Sequence, residues 1–112
     1  MLPKEHKLKK KNDFKAVFNN GRYCQKSFIK LKFAKNNLQK NRFGFIVGLK
    51  VSKKAVERNQ IKRRLEEITR LIFNELKQGF DVVVMVDPVI KEKIYSEIKE
   101  ELVGLYKKVI WK

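Results

Sequence analysis

Apolar residues alternate with polar or small residues in two stretches of the chain, residues 27–34 and 42–50. The apolar positions in these stretches are Ile29, Leu31, Phe33, Phe43, Phe45, Val47 and Leu49. Successive side chains of a β-strand point to opposite faces of a sheet, so both stretches are predicted to be strands with one buried face. Gly44 and Gly48 share the other side of the second strand, which predicts that a helix or a nucleotide packs closely there.

Residues 80–86 contain an almost unbroken apolar run, which is typical of a strand buried on both faces. A short strand is also predicted at residues 22–25. The polar residues 35–41, between the two alternating stretches, are predicted to form a turn.

Three other segments carry apolar residues at helical spacing. The first is predicted to run over residues 13–20, with Asn12 as its N-cap and Gly21 as its stop. The second is predicted to run from residue 53 to residue 78, and the third to begin at the Asp87-Pro88 pair. The apolar stripes of the second and third helices consist of Ile61, Leu65, Ile68, Ile72 and Leu76, and of Ile94, Ile98, Leu102, Leu105 and Val109.

The predicted order of elements is α-β-β-β-α-β-α. Its strand–helix–strand unit implies a parallel pair of strands, and such connections are normally right-handed. The chain has 112 residues without repeats or linkers, so residues 1–112 are predicted to form a single domain. Residues 1–11 are basic and lack periodicity, so they are predicted to form a flexible arm.

The charge of the chain narrows the choice of partner. It has 28 Lys and Arg against 12 Asp and Glu, a formal net charge of +16. Repulsion among so many cations opposes a compact fold, so a polyanion is the expected partner, with nucleic acid ahead of an anionic membrane surface. No apolar run approaches the ~20 residues of a membrane span, and the N-terminus lacks the apolar core of a signal peptide. Cys24 stands alone, so no intrachain disulfide can form and a cytoplasmic location is predicted.

The cations are densest at the start of the second predicted helix. Arg58 and Lys62 are neighbours at a spacing of four residues, and so are Asn59 and Arg63. A solvated helix face is the simplest interpretation of such a polar strip. However, no acid accompanies it in the two turns after Glu57, and guanidinium and amide groups suit the phosphates and 2′-hydroxyls of RNA. The strip is therefore predicted to bind RNA.

The sequence offers no active site made of protein groups alone. The single histidine, His6, lies in the basic arm, and Cys24 has no evident histidine partner, which argues against a cysteine nucleophile. Motifs for zinc, for a two-metal site and for nucleotide phosphates are all missing. A basic protein without such groups is expected to bind RNA or to assist an RNA catalyst.

The segment Arg58-Asn59-x-Ile61-Lys62-Arg63 resembles the RNR signature of the bacterial ribonuclease P protein subunit. Other segments match that family in the right order, namely Asp13-Phe14 to Phe18 and Gly21, Arg42-x-Gly44-x-x-Val47, the basic stretch before Ala55, and Phe80 to Val84. The resemblance implies an α+β two-layer sandwich like the second domain of ribosomal protein S5, with a rare left-handed β-α-β crossover. It also implies that the protein assists an RNA subunit, which carries the catalytic Mg²⁺ and removes the 5′ leader of precursor tRNA.

The same resemblance suggests site residues and partners. The residues expected to contact RNA are Arg58, Asn59, Lys62 and Arg63 on the helix and Lys50, Lys53 and Lys54 before it. A cleft between the first helix and the sheet is expected to hold the leader, and its lining residues are Phe14, Phe18, Leu31 and Phe33. For the first two, core packing is an equally good interpretation. The expected partners are ribonuclease P RNA and precursor tRNA, with no membrane, no obligate protein partner, and no metal or cofactor bound by the protein itself.

Two positions depart from the family pattern. Leu49 stands where many members have a lysine, and Glu66 stands where the family usually has an arginine. Glu66 follows Lys62 by four residues and Arg63 by three, so it is predicted to pair with both and to weaken their hold on phosphate. A second function stays open, since a fold does not determine a function: a ribosome-associated or RNA-chaperone protein on the same scaffold. A third, a protein-only nuclease, is disfavoured because the sequence has no cluster of acids for it.

Overall fold

The computed structural model describes residues 2–112. Its regular elements, in chain order, are α1 (Lys11–Asn20), β1 (Arg22–Gln25), β2 (Ile29–Lys35), β3 (Arg42–Ile46), α2 (Ala55–Leu71), β4 (Phe80–Val86) and α3 (Tyr95–Val109). Short 3-10 helices lie before α1, after α2 and before α3, at Lys4–His6, Phe73–Glu75 and Pro88–Glu92. This order of helices and strands confirms the one that the hydrophobic pattern predicts.

The four strands form one mixed sheet in the order β1-β2-β4-β3. β2 runs antiparallel to both β1 and β4, whereas β3 runs parallel to β4, as the strand–helix–strand pattern predicts. β4 is the last strand in the sequence, but it lies in the interior of the sheet, with Val82, Val83 and Val84 fully buried. β3 therefore forms an edge of the sheet.

The two faces of the sheet are covered unequally. Val82 and Val84 lie in the main core, which α2 and α3 complete. Val83 points the other way and packs with Val17 of α1 and with Leu8. The two-layer sandwich expected from the resemblance describes the sheet with α2 and α3, while the short α1 adds a partial third layer. Because both sides of β4 are packed, its sequence is an apolar run without alternation.

α2 is shorter at both ends than the helical spacing predicts. It begins at Ala55 because Lys54 is extended (φ −85°, ψ 119°), and the Lys54 amide donates to the Ser52 hydroxyl oxygen at 3.1 Å. It stops before Leu76, because Leu76 pairs with Trp111 in an isolated β-bridge. Leu76 is fully buried, so its place in the core is confirmed although it does not lie on the helix.

Two predicted boundaries near the N-terminal half of the sheet were wrong. α1 begins at Lys11, so Asn12 lies inside the helix rather than at its N-cap. β3 ends at Ile46 rather than at residue 50. The reason is a turn in which the Val51 amide donates to the Gly48 carbonyl oxygen at 3.1 Å and diverts the chain from the sheet.

The start of α3 also differs from the prediction. The Asp87-Pro88 pair begins a 3-10 helix, and α3 follows only from Tyr95. Ile94, predicted to lie in the apolar stripe, is the extended N-cap residue and is 64% exposed. Its amide donates to the Glu97 carboxylate at 3.1 Å, which satisfies a donor at the helix start.

The N-terminal segment packs along β3 instead of forming the predicted flexible arm. Met1, the first residue of that predicted arm, lies outside the described residues. Leu2 and Leu8 are buried, and the Leu8 amide donates to the Phe43 carbonyl oxygen at 2.8 Å. Many residues of this segment are lysines and its apolar residues show no periodicity, so mobility was predicted. Its two leucines supply the apolar contacts that hold it in place.

Candidate nucleic-acid interface

Four polar residues of α2 lie beside or opposite its buried side. Asn59 and Arg63 are exposed, whereas Arg58 and Lys62 are half-buried. Arg58 is oriented by the backbone, because its Nη1 donates to the Ser52 carbonyl oxygen at 2.9 Å. Within residues 2–112, none of the three cations forms an ion pair with an acid. Their charges are therefore free to meet an external anion.

Glu57 is the acid that directly precedes this strip, and it is engaged elsewhere. Its carboxylate accepts a hydrogen bond from the Ser52 hydroxyl and lies 3.5 Å from Nζ of Lys91. The hydrogen bond from Ser52 and the charge of Lys91 lower the pKa of Glu57 below its usual value. Glu57 is therefore ionised at neutral pH. Its charge is balanced by Lys91, so it does not neutralise the cations of the strip.

The loop before α2 presents three exposed lysines, Lys50, Lys53 and Lys54. Val51 and Ser52 between them are buried, so the loop is anchored while its cations stay outside. The free amides at the start of α2 add the positive end of the helix dipole to this region. The fold thus brings the lysines suggested by the family resemblance to the same end of α2 as Arg58.

Glu66 does not pair with the strip, so the predicted ion pairs with Lys62 and Arg63 are wrong. Neither Lys62 nor Arg63 comes within 4.0 Å of the Glu66 carboxylate. Glu66 is half-buried on the side of α2 that faces β3 and the N-terminal segment. Lys62 lines the same cavity as Glu66, but its ammonium lies more than 4.0 Å from the carboxylate.

Phe14 and Phe18 of α1 have different roles. Phe14 lies over Gly44 of β3, where an added methyl group would come within 2.5 Å of the ring. The close packing predicted at Gly44 is therefore confirmed. At Gly48 the same prediction is wrong, because an added methyl group would have no described atom within 4 Å. Phe18 is 36% exposed, and Nζ of Lys32 lies 5.4 Å from its ring centroid. Phe14 anchors α1 on the sheet, and Phe18 presents its ring at the surface.

Leu31 and Phe33, which were expected to line the leader cleft, lie on the other face of the sheet. Leu31 is fully buried in the main core, and Phe33 packs against that core beside Phe80, with ring centroids 6.3 Å apart. α1 instead covers the lysine side of β2, where Nζ of Lys32 donates to the Phe18 carbonyl oxygen at 3.1 Å. The assignment was wrong because alternation defines two faces but does not say which one a helix covers.

The face of the sheet that carries Phe18 also presents side chains that the sequence alone did not assign to a site. The strand register places Lys30 of β2 beside Met85 of β4, and Met85 beside Ile46 of β3. Lys30 and Met85 are partly exposed, and Ile46 is exposed. We call Phe18, Lys30, Lys32, Ile46 and Met85 the open sheet face. The lysine alternation in β2 was a usable signal, whereas Met85 and Ile46 could be added only from the register.

A charged network fixes α1 on the sheet. Arg42 of β3 donates from Nε and Nη2 to the two carboxylate oxygens of Asp81 at 2.8 and 2.7 Å. Its Nη1 donates to Asp13 of α1 at 3.3 Å, and Asn36 donates to Asp81 at 2.9 Å. The hydrogen bond with Asp81 is the main reason that the pKa of Arg42 is raised above its usual value. Arg42 therefore holds elements of the fold together and does not belong to the cationic strip.

Between residues 2 and 112, no group of three or more His, Cys, Asp and Glu side chains is placed to hold a metal ion. No helix in this range has both the length and the apolar character needed to cross a membrane.

Comparison with known proteins shows which family has this arrangement. Residues 2–110 match the family described as Ribonuclease P. The chain belongs to the ribonuclease P protein family. The ribonuclease P protein component of Caldanaerobacter subterraneus subsp. tengcongensis is 41% identical over 108 residues, which are 96% of this chain and 92% of that protein.

Two solved structures of ribonuclease P proteins share the fold. The protein from Thermotoga maritima has a TM-score of 0.85 and 30% identity, covering 92% of this chain and 96% of its own. The protein from Staphylococcus aureus has a TM-score of 0.88 at 22% identity, covering 96% and 98%, and supports the fold alone. As a ribonuclease P protein, the chain is a subunit of the endonuclease that forms the 5′ end of tRNA. This confirms the family and the function that the RNR signature predicts.

Proposed function

We propose that α2 and the loop before it hold the RNA subunit of ribonuclease P. The residues that would contact this RNA are Arg58, Asn59, Lys62 and Arg63 on the helix and Lys50, Lys53 and Lys54 in the loop. One observation carries this proposal: six cations lie between residues 50 and 63, in the loop before α2 and on its first half, and none is paired with an acid within residues 2–112. Each phosphate that they neutralise releases counterions, so the affinity should fall with salt by a log–log slope of roughly 0.7 to 0.9 per contact.

The test compares two charge reversals. Arg63→Glu changes an exposed cation of the strip, and Lys99→Glu makes a matched change on the exposed surface of α3. We expect Arg63→Glu to weaken binding of ribonuclease P RNA and to reduce the salt slope by about one contact. The α3 variant should leave that slope nearly unchanged. Equal effects of the two variants would show that the RNA responds to overall charge and does not lie on α2.

We also propose that the open sheet face holds the 5′ leader of precursor tRNA. Phe18 offers an exposed ring, Lys32 lies beside it, and Lys30 lies farther along the same side of β2. Unpaired bases stack on aromatic rings while lysines meet the phosphates, and each stacked base contributes about 1–3 kcal/mol. Met85 and Ile46 extend the apolar surface and take the place of Leu31 and Phe33 in the expected lining.

The leader site is tested with the reconstituted enzyme. Phe18→Ala should weaken binding of precursor tRNA by roughly fivefold or more and leave mature tRNA, which has no leader, unaffected. Tyr95→Ala is the matched control, because Tyr95 of α3 is also aromatic and is 37% exposed against 36% for Phe18. If Phe18→Ala weakened binding of mature tRNA as much as binding of precursor tRNA, the contact would lie outside the leader.

Three further features are part of the same proposal and rest on the family resemblance. The catalytic Mg²⁺ belongs to the RNA subunit, and the protein acts in the cytoplasm without an obligate protein partner. The connection from β3 through α2 to β4 is the left-handed crossover of a fold like the second domain of ribosomal protein S5. Cleavage of precursor tRNA by the protein alone, after nuclease treatment to remove RNA, would contradict the assignment of catalysis to the RNA.

A further inference from the structure

A cavity beside the edge strand β3 is lined by Glu66, one of whose carboxylate oxygens lacks a hydrogen-bond partner among the described residues. The cavity has a volume of about 210 Å³ and lies between α2 and the N-terminal segment. Oε2 of Glu66, which lines it, is buried without a hydrogen bond from any described residue. A buried polar atom without a partner costs about 1–3 kcal/mol, so it calls for a ligand or another compensating donor.

The rest of the cavity wall limits what that donor can be. Lys7, Lys9 and Lys62 supply three ammonium groups, and none of them is paired with an acid in residues 2–112. Phe45 adds aromatic surface. A metal cation would be repelled by the lysines, and a bare phosphate would be repelled by Glu66. A nucleotide combines neutral N–H donors with a phosphate and meets both requirements.

We propose that this cavity binds one guanine of single-stranded RNA and that the half-buried Glu66 side chain turns into the cavity, where both carboxylate oxygens accept hydrogen bonds from the Watson–Crick edge of the base. An ionised carboxylate has two acceptor oxygens and no donor. Guanine presents two adjacent donors on this edge, N1–H and the N2 amino group. Adenine, cytosine and uracil each present only one donor beside an acceptor, which would face a carboxylate oxygen. Bases of single-stranded RNA are commonly recognised on this edge.

The position of the cavity is consistent with an RNA that already contacts α2. Lys62 belongs both to the strip of α2 and to the cavity wall, whereas Lys7 and Lys9 approach from the N-terminal segment. The volume of about 210 Å³ lies below the roughly 300 Å³ at which pockets for drug-sized ligands begin. The cavity therefore suits a single base, with its phosphate outside among the lysines. The inference rests on the proposed RNA-binding function and adds base selectivity to it.

The first experiment needs no altered protein. Fluorescence anisotropy measures binding of oligouridines that carry G, A, C, U or inosine at one central position. We expect the oligonucleotide with G to bind about tenfold more tightly than those with A, C or U, as a bidentate base contact allows. Inosine lacks the N2 amino group but keeps N1–H, so its affinity should lie between those of G and A. Equal binding of all five oligonucleotides would overturn the inference and leave the proposed RNA-binding function intact, whereas no binding of any would contradict both.

The second experiment assigns the preference to Glu66. Glu66→Gln replaces one acceptor oxygen by a donor and should bring the ratio of affinities for G and A close to one. Glu67→Gln is the matched control, because Glu67 is exposed on the same helix and makes the same change of charge. It should keep the tenfold preference. If Glu66→Gln also keeps it, or if the variant changes only thermal stability, then Glu66 is a structural residue that a lysine neutralises in solution and the inference is wrong.

The source of the guanine follows from two further arms of the same assay. Ribonuclease P RNAs with A in place of single unpaired guanines compete less well at one position if the guanine belongs to the RNA subunit. Precursor tRNAs with G or A at single leader positions compete differently if it belongs to the leader. Either difference in competition, lost in Glu66→Gln protein and kept in Glu67→Gln protein, supports the site, and a difference that is equal in both variants contradicts it.

Discussion

Replacing Asp81 by Asn tests the network that holds α1 on the sheet. The Asp81 side chain is 9% exposed, and its oxygens accept hydrogen bonds from Arg42 and Asn36 at 2.7–2.9 Å. Asn keeps the shape of the side chain but directs an amide donor at a guanidinium that has only donors. One hydrogen bond to Arg42 is then lost, and the remaining cation has no charged partner at this position.

The expected loss of stability follows from burial. Removing one partner of a buried ion pair costs about 3–5 kcal/mol. The Arg42 side chain is 23% exposed and keeps its contact with Asp13, and both facts reduce the loss. We therefore expect Asp81→Asn to lower the free energy of unfolding by about 3 kcal/mol, at the lower end of that range. For a domain of this size, the loss corresponds to a decrease in Tm of roughly 12 °C.

Asp13→Asn is the matched control, because it makes the same substitution against the same guanidinium. Asp13 is 28% exposed and makes one contact of 3.3 Å, so its loss should cost about 1 kcal/mol or less. Urea unfolding of both variants can be followed by the fluorescence of Trp111, which packs against the main core. The reasoning from burial is refuted if Asp81→Asn costs no more than Asp13→Asn.

Three further predictions concern the core and the packing of α1. Burial raises the pKa of Tyr106 above its usual value of 10.0, so its stabilising effect is complete below about pH 10 and is lost as the pH rises further. Tyr106→Phe should lower the free energy of unfolding by about 1 kcal/mol at neutral pH, because the contact with the Thr69 hydroxyl is lost. Above pH 10 the variant should lose stability less steeply than the unaltered protein, and parallel pH profiles of the two from urea unfolding would contradict this. Gly44→Ala should lower stability by about 1–3 kcal/mol in the same assay, since its methyl group meets the Phe14 ring, and an unchanged value would mean that α1 shifts freely. Leu31→Ala should cost about 2–5 kcal/mol while leader affinity per folded molecule stays unchanged, whereas a selective loss of leader binding would return Leu31 to the cleft.

Local periodicity was sufficient for the type and order of the main elements. The stripe of Ile61, Leu65 and Ile68 lies on the buried side of α2, and the polar strip that starts at Arg58 lies beside or opposite it, as a step of 100° per residue requires. The apolar run in β4 is buried from both sides. These predictions succeeded because each depends only on residues within a few positions of one another.

The errors arose where distant parts of the chain meet. Leu76 continues the helical spacing, but its backbone pairs with Trp111 and ends the helical region early. Leu31 was assigned to a cleft because the face that α1 covers depends on the contacts of Val17 and Val83 across the sheet. Glu66 has ideal spacing for ion pairs on an isolated helix, but β3 and the N-terminal segment occupy that side. No window of the sequence contains these contacts.

The interior position of β4 has a consequence for the order in which the molecule can assemble. During synthesis, β2 and β3 emerge first, and each lacks its common neighbour until residues 80–86 follow. Pairing that joins distant segments is slow, and unpaired strands with uncovered apolar surface invite aggregation. When α2 has been synthesised, all its cations are present, but the sheet on which the helix packs is still incomplete. If α2 holds RNA as proposed, we expect it to become competent only after β4 has been inserted, so that assembly with RNA follows completion of the sheet.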